Sequence, residues 1–138
     1  MSLRPFHLAI PVKEIIETRA FYRDVLGFEE GRSSEKWVDF NCFGHQLVIH
    51  QIEGGADKEL NPVDGKNVPV PHFGVVLEWN DWEKLETKLK NAEIEFIIEP
   101  YVRFEGEVGE QATMFFLDPS GNALEFKAFK NDDQIFAT

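Results

Sequence analysis

The stretch Asp118-Pro119-Ser120-Gly121-Asn122-Ala123-Leu124-Glu125-Phe126-Lys127-Ala128-Phe129 reads as a tight turn that opens a strand. Pro119 sets φ for the turn, and Gly121 tolerates the left-handed position that closes it. Side chains then alternate between two faces. Ala123, Glu125 and Lys127 share one face; Leu124, Phe126 and Ala128 share the other. Glu125 is thus a carboxylate in mid-strand between two apolar residues. Acidic residues are depleted in strands and rarely buried without a partner. If the strand is central, Glu125 needs a cation or strong donors, and the rest of the chain can be searched for them.

Working outward, Phe6 to Val12 reads as a short strand and carries His7. A helix is expected from about Lys13 to Val25, with Ile15, Ile16, Ala20, Phe21, Tyr22 and Val25 at helical spacing and Gly27 as its cap. Phe28 to Glu30 opens a strand. Lys36 to Phe43 alternates, with Trp37, Asp39 and Asn41 on one side and Val38, Phe40 and Cys42 on the other. Gln46 to Ile52 is the next strand. Residues 53–68 hold Gly54, Gly55, Pro62 and Gly65 with little hydrophobic pattern, and read as linker and loop. The order then repeats: a strand over Pro71–Leu77, a helix over Trp82–Asn91 capped by Asp81, and strands over 96–100, 111–117 and 121–129. The expectation is one α+β domain over 1–138, built of two β-α-β-β-β modules at about 5–52 and 69–130.

Composition narrows the function. The 138 residues carry a formal net charge of −11, which repels phosphate backbones and argues against nucleic acid. No apolar run reaches membrane-spanning length, and the N-terminus lacks a signal-peptide core. Cys42 is the single cysteine, so no intramolecular disulfide forms, which fits a reducing compartment. The expectation is a soluble cytoplasmic protein.

His7 and His72 occupy matching first strands of the two modules, and Glu125 lies in the last strand of the second. A lone strand histidine is more often a core or surface residue than a ligand. Core packing, however, gives no reason to repeat a polar residue at equivalent points. Two His and one carboxylate on separate strands make a facial set for a divalent metal, with positions left open for water or substrate. The strand matching that of Glu125 carries His50. Aligning the turns at Gly44 and Gly121 puts Val48 opposite Glu125, but a two-residue slip keeps His50 on the same face. His50 is therefore a candidate fourth ligand or a candidate base beside the site.

Four segments carry a family resemblance: Phe6-His7-Leu8-Ala9, Ala20-Phe21-Tyr22-Arg23-Asp24-Val25-Leu26-Gly27-Phe28, Pro71-His72-Phe73-Gly74, and Phe116 to Phe126. Through them the chain, over residues 5–129, resembles the vicinal oxygen chelate superfamily. That superfamily includes glyoxalase I, fosfomycin- and bleomycin-resistance proteins and extradiol dioxygenases. The resemblance implies paired βαβββ modules whose eight mostly antiparallel strands curl into a cup around a metal, often at a dimer interface. His7, His72 and Glu125 match the family's metal triad. The His50 position resembles the place where glyoxalases carry a fourth, often acidic, ligand, so His there departs from ordinary glyoxalase I.

What the resemblance implies is an enzyme holding a divalent metal, with Zn, Ni, Fe and Mn all open. It would chelate a small oxygenated substrate through two neighbouring oxygens, as a glyoxalase-like lyase or isomerase or as a ring-cleaving dioxygenase. Glu125 or His50 would serve as base. Trp37, Arg103, Phe104 and Phe115 are candidates for the substrate pocket. The alternative is a bleomycin-resistance-like small-molecule binding protein; the metal residues, typically missing in such relatives, favour the enzyme. A homodimer is expected.

Overall fold

Alternation along the first strands sets up one layer. In the computed structural model, which describes residues 2–54, 59–63 (backbone alone) and 66–138, the chain divides into two units. The first comprises residues 1–57 with 118–122, and the second 58–117 with 123–138.

In the first unit, β1 (His7–Val12) is followed by helix α1 (Ile15–Ala20), then β2 (Glu29–Ser33), β3 (Trp37–Cys42) and β4 (His45–Gln51). The sheet order is β1-β4-β3-β2, with β1 parallel to β4 and the other pairs antiparallel. Val38, Phe40 and Cys42 face inward with Leu47 and Ile49, their cross-strand partners or neighbours, as the alternation predicts. The helix does not run evenly to its cap. Phe21–Val25 widens into a π turn, where the Leu26 N–H donates to the Phe21 carbonyl at 3.1 Å. A one-residue widening of this kind is not visible in 3.6-residue periodicity.

The turn 118–122 clusters with this first unit. Tyr22, fully buried on the π turn, donates its hydroxyl to Asp118 Oδ2 at 2.8 Å. Asp118 Oδ1 accepts the backbone N–H of Ser120 and of Asn122, and Asn122 Nδ2 donates to Oδ2. Four donors thus satisfy a carboxylate that burial would otherwise penalise. Asn122 Nδ2 also donates to the Pro11 carbonyl at 2.7 Å, and Gly121 takes φ +88°, as the turn reading requires.

The second unit opens with a hairpin of β5 (Glu59–Val63) and β6 (Lys66–Val70), in a stretch whose sequence reads as linker and loop over 53–68. The positions 55–58 and 64–65 of that expectation lie outside the described residues. Pro62 and Pro69 break the strand pattern by removing donors, which is tolerated where a strand has a free edge. Burial of Val68 beside Ile98, Phe115 and Ala123 holds β6 in place.

After the hairpin come β7 (His72–Phe73), β8 (Val76–Leu77), helix α2 (Trp79–Asn91), β9 (Phe96–Arg103), β10 (Gln111–Leu117) and β11 (Ala123–Phe129). The order is β7-β11-β10-β9, and β8 also pairs with β11; β7 and β8 run parallel to β11. On one face Leu124, Phe126 and Ala128 join Met114 and Phe116, with the Phe116 and Phe126 rings stacked at 6.0 Å. Helix α2 buries Trp82, Leu85 and Leu89, and Trp82 Nε1 donates to the Phe126 carbonyl at 2.9 Å. Fully burying such a side chain contributes about 1.5–3 kcal/mol. The other face carries Thr113, Phe115, Glu125 and Lys127, as the alternation across 123–129 predicts for the last two. With β7 and β8 taken as one broken strand and the β5–β6 hairpin as an addition ahead of it, each unit follows β-α-β-β-β order, and the architecture is α+β. No helix among the described residues is long and apolar enough to cross a membrane.

Candidate metal and substrate site

The polar face of the second unit lines a cavity of about 240 Å³. Its wall is made by Val68, His72, Ile98, Tyr101, Arg103, Thr113, Phe115, Glu125 and Lys127. Strand register places most of these: Phe115 stands opposite Glu125, Thr113 opposite Lys127, and Tyr101 opposite Thr113. His72 arrives on the other side of β11, where it pairs with Ala123, two residues before Glu125.

His72 and Glu125 face each other across the cavity. His72 Nδ1 lies 2.7 Å from the Pro69 carbonyl, an acceptor only, so Nδ1 carries the proton and donates it. In the neutral ring this leaves the lone pair on Nε2, which stands 3.4 Å from Glu125 Oε1. The ring packs edge-on against Phe115 with centroids 4.8 Å apart. Thr113 donates its hydroxyl to the other carboxylate oxygen, Oε2, at 2.6 Å. Lys127 Nζ is 3.8 Å from Oε1. One nitrogen and one oxygen turned toward the same space, each oriented by a second hydrogen bond, form a donor pair that a divalent cation fits.

In the first unit, His7 is oriented in the same manner. Its Nδ1 lies 2.8 Å from Gln46 Oε1, and Gln46 Nε2 lies 3.4 Å from Asp39 Oδ2. The amide oxygen accepts from Nδ1, which again leaves Nε2 as the free donor in the neutral ring. His7 pairs with Gln46, so the residue two positions on, matching Glu125 in the second unit, is Val48. His50 pairs with Pro11 and Trp37 and is exposed on the face that also carries His7. It lies four residues along β4 from Gln46, roughly 13 Å at the strand rise.

Of the residues singled out in the sequence, the structure brings together His72, Glu125, Arg103 and Phe115 on one cavity wall. Phe104 follows β9 with φ +55° and is exposed, with Arg103 Cζ 4.9 Å above its ring. Trp37, His50 and His7 belong to the first unit. Among the described residues no three His, Cys, Asp or Glu side chains gather as a metal-holding group. Sequence reasoning missed Tyr101, Thr113 and Lys127. The signal for Lys127 was present, because it shares the strand face of Glu125.

The family model described as the glyoxalase/bleomycin resistance protein/dioxygenase superfamily matches residues 4–126. The metallothiol transferase FosB of Staphylococcus haemolyticus is 25% identical over 129 residues, which cover 94% of this chain and 86% of that protein. Among solved structures, a glyoxalase/bleomycin resistance protein/dioxygenase from Alicyclobacillus acidocaldarius is 32% identical with a TM-score of 0.81, over 96% of both chains. The fosfomycin resistance protein FosX of Listeria monocytogenes shares the fold at 18% identity and TM-score 0.70, over 97% of this chain and 98% of that one. With the βαβββ order in each unit and the DPSGN turn ahead of Glu125, these likenesses show that the chain belongs to the glyoxalase/bleomycin resistance protein/dioxygenase superfamily.

Proposed function

We propose that the protein is a divalent-metal-dependent enzyme acting on a small oxygenated substrate that binds through two neighbouring oxygens. The observation that carries this reading is the facing of His72 Nε2 and Glu125 Oε1 at 3.4 Å on the wall of a cavity. His72 and Glu125 are two ligands in this proposal and His7 is the third; its Nδ1 is likewise tied and its Nε2 free. When bound, the cation supplies Lewis acidity to the chelating oxygens. Thr113 orients the Glu125 carboxylate through Oε2, leaving Oε1 for the cavity, and Glu125 is the candidate base. Phe115, Ile98 and Val68 exclude water from one side of the cavity.

Within this class, glyoxalase-like lyase or isomerase chemistry suits the polar wall of Thr113, Glu125 and Lys127, which can hold and pass protons. The similarity to a metallothiol transferase adds thiol adducts to the substrates worth testing. The test is turnover of a panel of methylglyoxal–thiol adducts and catechols by protein as purified, after chelation, and after return of zinc, nickel, manganese or ferrous iron. Activity lost on chelation and restored by one of these ions supports the reading. Equal activity with and without metal contradicts it, as does tight substrate binding with no turnover under any ion. We also propose a homodimer, supported by the exposed apolar residues Ile97 and Val102 on β9, which pairs with β10 alone among the described strands. A sedimentation mass of the single 15.9 kDa chain at high concentration would refute the dimer.

A further inference from the structure

We propose that Val68 is a positioning residue for His72: seated in an apolar cluster, it straps β6 down so that the Pro69 carbonyl holds the imidazole with a bare Nε2 toward Glu125. This deepens the reading of His72 as a ligand and rests on it. Among the described strands β6 pairs only with β5, so no backbone ladder ties it to the sheet that carries Glu125. Side chains tie it instead. Val68, 4% exposed, packs with Ile98, Phe115 and Ala123, and Tyr101 lies against the same cluster. Two residues earlier, Lys66 Nζ stands 3.9 Å from the centroid of the Tyr101 ring. A cation–π contact from an exposed lysine is weaker than burial of a valine, so Val68 is the principal anchor.

The anchor acts on His72 through the next residue. Pro69 is buried, and its carbonyl lies 2.7 Å from His72 Nδ1. Proline rings at 69 and 71 fix φ on both sides of Val70, so this carbonyl follows β6 rather than turning by itself. The acceptor matters because a second one competes for the same proton. Glu125 Oε1 stands 3.4 Å from Nε2 and would draw the hydrogen there. A neutral ring protonated at Nε2 points a hydrogen at the carboxylate and has no lone pair left on that atom. With β6 seated, the Pro69 carbonyl wins the proton for Nδ1. With β6 lifted, the Glu125 carboxylate wins it for Nε2, and the donor pair is lost.

The plain alternative is that Val68 only fills the core. Nitrogen NMR of the isotope-labelled full chain separates the two, because the imidazole tautomers give different nitrogen shifts. The protein is freed of metal by chelation and held at a pH where the ring is neutral. Wild type should show His72 protonated at Nδ1 alone. Val68→Ser should move the proton to Nε2 in part or whole, the gentler Val68→Ala should move it the same way, and Val68→Ile should keep the wild-type pattern. Leu89→Val, which loosens the buried face of helix α2, should lower the urea midpoint and leave His72 unchanged. Circular dichroism checks that each variant is folded. A wild-type ring protonated at Nε2, a pattern in folded Val68→Ser and Val68→Ala equal to wild type, or an equal shift in Leu89→Val would overturn the proposal. Zinc is read separately. Where wild type takes it, Val68→Ser should weaken binding about tenfold, as for loss of an orienting partner. No zinc binding to wild type would sink the metal reading, and the tautomer of the metal-free protein would still decide this one.

Discussion

Gly74 and Glu125 approach so closely that a β-carbon on residue 74 would overlap the Glu125 carbonyl oxygen. The contact falls between β7 and β8, both paired to β11. With no side chain at 74, the backbone presses against β11 and His72 sits beside the Glu125 carboxylate. Gly74→Ala should therefore push β7 off β11 and destabilise the fold by about 1–3 kcal/mol, the range for overpacked sites. Urea unfolding midpoints check this. A variant as stable as wild type would show that the approach is not required.

In the proposed metal site Thr113 would act through Glu125, to which it donates, rather than as a ligand. Thr113→Val keeps the shape and removes the hydroxyl that orients Oε2. Zinc affinity should fall about tenfold, the lower end of what loss of an orienting partner costs. Competition with a chromophoric chelator measures it, and an unchanged affinity would remove Thr113 from the account.

Tyr22 joins the π turn to the Asp118 turn. Burial, and then the Asp118 charge, raise its pKa well above the usual tyrosine value. Tyr22→Phe leaves Asp118 with three donors and one oxygen less satisfied, so unfolding free energy should fall by about 1–3 kcal/mol. The measurement is a denaturant midpoint near neutral pH, with no change expected there in zinc affinity.

Cys42 gives an alkaline signature. Burial pushes its thiol up to about 12 from an ordinary value of 9.0. The folded state then holds the proton more tightly than the unfolded chain. This contribution to stability is complete below about pH 9 and is lost as pH rises from about 9 towards 12, with a slope of at most ~1.4 kcal/mol per pH unit. Urea midpoints between pH 8 and pH 10.5 (about the workable range) should fall in wild type and fall less in Cys42→Ala. Tyr22 titrates with the same sign at higher pH, so Tyr22→Phe separates the two.

Much of this was legible in the chain because strand alternation has period two. Glu125 announced itself as an acid between Leu124 and Phe126, and the same alternation put Lys127 beside it. The β-α-β-β-β order followed from punctuation at Gly27, Gly44 and Gly121. What stayed hidden depends on register and on backbone contact. A two-residue slip leaves the face unchanged, so the sequence kept both Val48 and His50 opposite Glu125. The pairing of His7 with Gln46 makes Val48 the counterpart. The β5–β6 hairpin was masked by Pro62 and Pro69, and its anchor, Val68, is a single apolar residue among polar ones. The break at Gly74 depends on the carbonyl of a residue fifty positions away, which no local pattern reports.

Metal content tests the proposed site most directly. Protein purified without chelator should carry close to one divalent ion per chain by elemental analysis, and His7→Ala, His72→Ala and Glu125→Gln should each lose it while keeping wild-type circular dichroism. Less than about a tenth of an equivalent in wild type, or full occupancy in all three folded variants, would contradict the claim that these side chains hold the metal.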